Sequence, residues 1–132
     1  MKKMLVALFV ALLMAGCGPT NEEQTAAKIR FAKESGSTEL ELYSHQITDV
    51  TPLAGLIKLE KLGLGVNKIT DLTPLAKLTE PKTLWLPDNK ITDLSPLAKL
   101  TKLKMLYLGG NPIPADQKDM LRKALPNCRI EF

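Results

Sequence analysis

The residue of this sequence best suited to covalent chemistry is Cys17, which lies directly after a short apolar run. Lys2 and Lys3 give the chain a basic start, and the run from Met4 to Gly16 is uncharged and mostly apolar. Because a membrane-spanning helix needs about 20 apolar residues, this shorter run predicts a cleaved signal peptide instead. Ala15 and Gly16 are small enough for a peptidase to approach, and the thiol of Cys17 is the strongest nucleophile near this point of the chain.

The residues that end at this cysteine resemble the lipobox of bacterial lipoproteins: Leu13, Met14, Ala15, Gly16 and Cys17. Met14 stands where leucine is more usual. The resemblance implies a diacylglycerol thioether on Cys17, cleavage after Gly16, and acylation of the new amino group by a fatty acid such as palmitate. It therefore implies a signal peptide over residues 1–16 and a lipidated tether over residues 17–20. The alternative is an ordinary signal peptide followed by an accidental cysteine.

The second cysteine, Cys128, has no partner for an internal disulfide once Cys17 carries a lipid. Its neighbours Leu125 and Ile130 favour a thiol buried in the core. An intermolecular bridge is the second possibility, and catalysis by the thiol is a distant third.

The other polar residues predict neither an enzyme nor a metal site. His45 is the only histidine, which excludes a multi-histidine metal site. Asp49, Asp71 and Asp93 recur at one fixed interval along the chain. One carboxylate per repeat suits turn capping better than calcium, which needs several oxygen atoms from one loop. The formal net charge is +4, and no basic cluster contains aromatic residues, so a nucleic-acid partner is not expected.

A 22-residue period sets the elements that must position these residues. Leucine recurs at two positions of the period and isoleucine at a third: Leu40, Leu62, Leu84 and Leu106; Leu42, Leu64, Leu86 and Leu108; Ile47, Ile69, Ile91 and Ile113. A fixed period of this length indicates a solenoid, in which each coil buries its apolar face against the next. The alternating leucines predict one short strand per coil, and such strands would form a parallel sheet.

These repeats resemble leucine-rich repeats in their bacterial, internalin-like form, which has the same period. The resemblance covers residues 38–114, where the repeats follow the pattern L-x-L-x-x-N-x-I-T-D-[VL]-[ST]-P-L-A-x-L. It implies an α/β fold: a short right-handed solenoid with a parallel β-sheet on its concave face and helical caps at both ends.

A structural asparagine ladder is expected to turn the chain in successive coils: Asn67, Asn89 and Asn111. Its side-chain amides should bond backbone groups that would otherwise be buried without partners. His45 takes this position in the first coil, where we expect an exposed substitute for asparagine. Hydroxyl residues before a proline are expected to cap a helical turn further along each coil: Thr51, Thr73 and Ser95.

Helical segments are predicted to close both ends of the solenoid, because a terminal coil has no neighbour on one side. Residues 21–37 are assigned to an N-terminal cap whose helix begins with Asn21 as its N-cap. Residues 115–132 are assigned to a C-terminal cap, a helix followed by an edge strand that places Ile130 and Phe132 inward.

The side chains between the inward leucines are expected to face the concave surface. Trp85 and Tyr107 share a column and should be neighbours, with Met105 and Tyr43 nearby. An exposed aromatic cluster on a rigid sheet is a candidate site for a protein or peptide partner. The alternative is that aromatic residues simply suit strand surfaces.

Glycines and prolines mark four exceptions within the repeats. Gly63 and Gly65 are expected to leave a shallow gap beside the aromatic cluster. Pro81 replaces the leucine found in the other repeats and should fill the core less well. Pro87 lacks a backbone donor within an interior strand and is expected to mark a local irregularity.

Together these patterns predict a non-enzymatic, monomeric binding module without a cofactor. It would be exported and anchored through Cys17 to the cell membrane or to an outer membrane. By analogy with similar family members, its concave face would bind a protein or a peptide. The alternative is a structural spacer or envelope organiser without a specific ligand.

Overall fold

The computed structural model describes residues 18–132, so the predicted signal peptide and Cys17 lie outside the described residues. The helices and strands follow in the order α1 Asn21–Ser35, β1 Glu39–Glu41, β2 Lys61–Gly63, β3 Thr83–Trp85, β4 Met105–Tyr107, α2 Ala115–Ala124 and β5 Arg129–Glu131. Short 3₁₀ turns lie between the strands, at Thr51–Leu53, Thr73–Lys77 and Ser95–Leu97. Neither α-helix of this part of the chain is long and apolar enough to cross a membrane.

The five strands form one parallel sheet in which the spatial order is the chain order. One residue of each strand defines the register: Leu40, Leu62, Leu84, Leu106 and Ile130 lie side by side. Up to β4, one repeat along the chain is therefore one step across the sheet. The predicted α/β solenoid with a parallel sheet and helical caps is confirmed.

The leucine columns fill the space between the sheet and the 3₁₀ turns. The column that follows the strands is at most 1% exposed: Leu42, Leu64, Leu86 and Leu108. Because full burial of a leucine side chain contributes about 2 kcal/mol, these columns supply much of the hydrophobic stabilisation.

The asparagine ladder satisfies backbone groups of two coils at once. The Oδ1 atom of Asn89 accepts a hydrogen bond from the backbone N–H of Ile69 at 3.1 Å. Its Nδ2 atom donates to the carbonyl oxygens of Leu64 at 2.9 Å and Leu86 at 3.2 Å. The same pattern holds at the other two members, Asn67 and Asn111. The ladder thus ties each coil to the one before it.

An aspartate holds the start of each 3₁₀ turn. The Oδ1 atom of Asp49 accepts from the backbone N–H of Thr51 at 2.8 Å and from its hydroxyl at 2.6 Å. These two bonds favour the charged carboxylate and lower the pKa of Asp49. The later turns repeat the backbone bond with Asp71 and Asp93. The prediction that the hydroxyl residues cap these turns is wrong, because none of the three turns has a side-chain cap bond, and the hydroxyls of Thr51 and Ser95 donate to the aspartate instead.

Pro81 is buried in the column of Leu59 and Leu103, as its place in the repeat indicates. The backbone N–H of Leu59 donates to Leu56 O at 3.1 Å, and that of Leu103 donates to Leu100 O at 3.0 Å. Proline has no N–H and cannot make this bond. The second turn, at Thr73–Lys77, is also the longest of the three.

Pro87 does not disturb the sheet, so the irregularity predicted there is wrong. The residues on either side of it still donate to the next coil, with N···O distances of 2.8 Å. The equivalent Gly65 donates no backbone bond either, since the carbonyl of Leu42 accepts from the Asn67 side chain. Proline at this position therefore removes no bond from the ladder.

The N-cap of helix α1 is Thr20 and not Asn21, which corrects the sequence-based assignment. The backbone N–H of Glu23 donates to Thr20 Oγ1 at 3.2 Å, and the backbone N–H of Thr20 donates to Glu23 Oε2 at 2.8 Å. This reciprocal pair is a capping box, in which a glutamate follows the cap by three positions. Gly36 ends the helix in the left-handed region, at φ 64°.

Helix α2 and the last strand close the other end. The Oε1 atom of Gln117 accepts from the backbone N–H of Leu94 at 2.9 Å, which ties α2 to the third 3₁₀ turn. The Phe132 ring lies 5.2 Å from Lys118 Nζ and 4.9 Å from Arg122 Cζ. These cation–π contacts hold the C-terminal residue against the helix.

Three exposed ion pairs each join two successive coils: Glu39 with Lys61 at 2.7 Å, Glu60 with Lys82 at 2.7 Å and Glu80 with Lys102 at 2.8 Å. Each pair spans one full repeat, but each occupies a different position of the repeat. Exposed pairs contribute about 0–1 kcal/mol each, so their energetic effect is modest.

Candidate functional site

The strand register arranges the concave face of the sheet in rows. The first row consists of Glu39, Lys61, Thr83, Met105 and Arg129. The middle row consists of Glu41, Gly63, Trp85, Tyr107 and Glu131. A third row continues the repeat beyond the strands, with Tyr43, Gly65, Pro87 and Gly109.

Trp85 and Tyr107 form a stacked aromatic pair in the middle row. They lie directly opposite each other in β3 and β4, with ring centroids 4.0 Å apart and ring planes at 33°. Trp85 remains 44% exposed, whereas Tyr107 is half-buried. Each ring restricts the other, so the pair presents a pre-ordered aromatic surface to solvent.

Tyr43 lies over Gly65 in the third row. A Cβ atom at Gly65 would be 3.2 Å from the Tyr43 ring and 3.2 Å from Cγ of Pro87. Tyr43 is 59% exposed, so its ring covers the glycine and still faces solvent. The shallow gap predicted at Gly65 is therefore absent, because the Tyr43 ring of the neighbouring coil occupies that space.

The gap predicted at Gly63 is also filled. A Cβ atom there would be 2.6 Å from Cδ of Glu41 and closer still to one carboxylate oxygen. The carboxylate of Glu41 thus leans across the sheet over Gly63, which lies opposite Trp85. Because Gly63 has no side chain, the charged carboxylate of Glu41 occupies the space above it.

Met105 is half-buried in the first row, between Thr83 and Arg129. The four residues predicted from the sequence therefore face the same side of the sheet, but only Trp85 and Tyr107 stack.

Sequence reasoning assigned no binding role to Glu41 or Glu131, although both belong to the middle row. The 22-residue alignment places Glu41 in the column of Trp85 and Tyr107, and that signal could have found it. Glu131 follows Tyr107 at an interval outside the regular period, and only the strand pairing aligns it.

His45 is half-buried and bonded to helix α1, so the expectation of an exposed substitute is wrong. Its Nδ1 atom lies 2.7 Å from Thr25 Oγ1, and Thr25 Oγ1 donates to Asn21 O at 2.7 Å. The Nζ atom of Lys28 donates to His45 Nε2 at 3.1 Å. These partners assign a neutral imidazole with its proton on Nδ1. Burial, followed by the charge of Lys28, lowers the pKa of His45.

Cys128 is partly buried and packs against the core. Burial raises the pKa of its thiol, which keeps the thiol protonated and weakly nucleophilic. Across residues 18–132, no group of three histidine, cysteine, aspartate or glutamate side chains is placed to hold a metal ion.

Fold and surface together define a class of protein, a short leucine-rich repeat solenoid. A family model for leucine-rich repeats in two copies matches residues 82–122. No curated protein matches the chain significantly.

The repeats are similar to those of internalins. An internalin C2 from Listeria monocytogenes is 43% identical over 64% of this chain and 37% of its own, with a TM-score of 0.59. A second internalin of that species is 38% identical over 77% of this chain and 29% of its own, with a TM-score of 0.67. A leucine-rich repeat protein of Leptospira interrogans is 29% identical over 76% of this chain and 33% of its own, with a TM-score of 0.55. The chain thus spans 29% to 37% of the length of these three proteins.

Proposed function

We propose that this protein is a non-enzymatic, monomeric binding module whose concave face takes a protein or a peptide. The exposed Trp85–Tyr107 stack on that face carries the proposal. Buried aromatic anchors dominate the energy of many protein interfaces. Tyr43 and Met105 lie on the same face and would extend the contact.

The scaffold around the stack favours binding, because little order is lost when a partner docks. The strands that hold Trp85 and Tyr107 are tied to their neighbours by the parallel ladder. The stack itself limits the freedom of both rings. Preorganisation of this kind lowers the entropic cost of association. A standard interface covers about 800 Å² per partner, which would take up most of a sheet of this size.

We further propose that the module is exported and anchored in the cell envelope through a lipid on Cys17. Support comes from the basic start, the short apolar run and the small residues before the cysteine. With Cys17→Ser, we expect the protein to lose labelling by radioactive palmitate and to leave the detergent phase of a Triton X-114 partition. Cys128→Ser is the matched control and should behave as the wild type. Labelling of the Cys17→Ser variant would contradict the anchor.

Capture of a partner from detergent-solubilised envelope tests the binding role. The full-length protein should retain a partner that a Trp85→Ala/Tyr107→Ala variant releases. The control is Ile57→Ala, which removes an apolar side chain that is 59% exposed and lies outside the strands. Equal capture by all three proteins would place the site elsewhere on the solenoid. No capture by the wild type would favour a spacer or organiser without a specific ligand.

A further inference from the structure

The middle row of the concave face places a carboxylate at each side of its aromatic pair. The Glu41 carboxylate lies over Gly63 and therefore beside Trp85. At the other side, Glu131 is opposite Tyr107. The row contains acidic, aromatic and glycine residues only, and this arrangement suits a cationic ligand.

Glu41 is the carboxylate that remains available. Within residues 18–132, its side chain makes neither an ion pair nor a hydrogen bond. Two lysines of the neighbouring elements have other acceptors: Lys61 pairs with Glu39 at 2.7 Å, and Lys28 Nζ donates to the Glu41 carbonyl at 3.4 Å. Glu131, in contrast, already pairs with Arg129 at 2.7 Å.

We propose that the partner of the concave face inserts an arginine side chain that stacks on Trp85 and pairs with Glu41. This inference rests on the binding function proposed above and names the chemistry of the partner. A guanidinium group is planar, stacks on an indole and donates two parallel hydrogen bonds to a carboxylate. The ammonium of lysine is a compact point charge, so it could pair with the carboxylate but has no planar group to stack on the indole. The row contains two carboxylates and no basic side chain, so its charge is complementary to a basic protein segment.

Gly63 sets the position of the charge. Trp85 and Tyr107 occupy the same row with large side chains, so the strand backbone in this row does not itself require glycine. At Gly63 the absence of a side chain lets the Glu41 carboxylate lean toward Trp85. Gly63→Ala would push the flexible end of Glu41 away while keeping its charge.

Tryptophan fluorescence tests the proposal directly, because Trp85 is the only tryptophan of the chain. The full-length protein in detergent is titrated with an acetylated, amidated tetra-arginine peptide and, separately, with the tetra-lysine analogue at low salt. Tetra-arginine should change the Trp85 emission and bind more tightly than tetra-lysine. Glu41→Gln and Gly63→Ala should each weaken tetra-arginine binding by about threefold, the effect of one exposed charge pair. Glu34→Gln on α1 is the control for loss of one charge and should leave the affinity unchanged.

Wild-type affinity in both the Glu41→Gln and Gly63→Ala variants would overturn the proposal, as would a Trp85 emission that tetra-arginine does not change. The capture experiment, repeated with Glu41→Gln, separates this failure from failure of the binding function. If this variant retains a partner that Trp85→Ala/Tyr107→Ala releases, the concave face binds proteins without the arginine contact. If the wild type captures nothing, the binding function itself fails.

Discussion

Among single residues, Asn89 shows how a buried polar side chain holds neighbouring coils together. It is 5% exposed, accepts a hydrogen bond from the Ile69 N–H and donates to the carbonyls of Leu64 and Leu86. Asn89→Ala would leave the Ile69 N–H without an acceptor and remove a donor from both carbonyls. We expect the free energy of unfolding to fall by about 3 kcal/mol, measured by urea denaturation.

The control for this change is Asn127→Ala, which removes the same amide from an exposed turn. It should lie within about 0.5 kcal/mol of the wild type. Equal stability of the two variants would show that the ladder bonds are replaced by water.

The positions of some single residues could be predicted from the sequence, and those of others could not. The periodic leucines and asparagines were predictable, because each repeats one environment in every coil. Thr20 and Asn21 are adjacent and both suit an N-cap, and only the reach of Glu23 decides between them. The side chain of Glu41 leans over Gly63 because that residue has no side chain of its own. An alignment of the repeats shows which residues share a position but not the direction of their side chains.

Helix α1 is attached to the first coil by few buried side chains, and its attachment should depend on pH. Ala32 is its only fully buried residue, and the bonds of His45 to Thr25 and Lys28 supplement that packing. The pKa of His45 is lowered in the folded protein, so the unfolded chain binds the proton more readily. The contribution of His45 is therefore present above its ordinary pKa of about 6.5 and is lost as the pH falls through the lowered value.

Amide hydrogen exchange across α1 measures this dependence. Between pH 7.5 and pH 5, exchange corrected for its intrinsic rate should show a less stable helix in the wild type. His45→Asn removes the titrating group and should show a smaller change over the same interval. An equal change in both proteins would assign the pH dependence to other groups.

After the second turn, Pro81 stands in a buried column where the other coils have leucine. Pro81→Leu would allow a bond from residue 81 to Leu78 O, like the bond of Leu59 to Leu56 O. It would also add apolar volume to a buried column. We expect stability to rise by about 1 kcal/mol, measured as an increase in Tm. Pro96→Leu, at the start of a turn, should bring no such gain, and an unchanged Tm in Pro81→Leu would contradict the interpretation.

At the scale of the whole molecule, one period explains the sheet, the core and the placement of the candidate site. The register follows directly from the 22-residue step, so the neighbours Trp85 and Tyr107 could be predicted. The ends follow less directly, since each cap forms once and has no second copy to compare. Pro87 shows a related limit: its effect depends on whether the backbone bond it removes exists in the other coils, and here a side chain replaces that bond.

The three ion pairs between coils bear on a risk that every regular array carries. A slip by one whole repeat during folding would keep leucine beside leucine and asparagine beside asparagine, so the interior alone does not reject it. The exposed pairs do distinguish the two arrangements. After such a slip Glu39 would meet Thr83 and Glu80 would meet Ala124, and only Glu60 would find a new lysine, Lys104. These ion pairs add little to stability, but they form mainly when each coil packs against its correct neighbour. They thus help an almost periodic chain to assemble in one order.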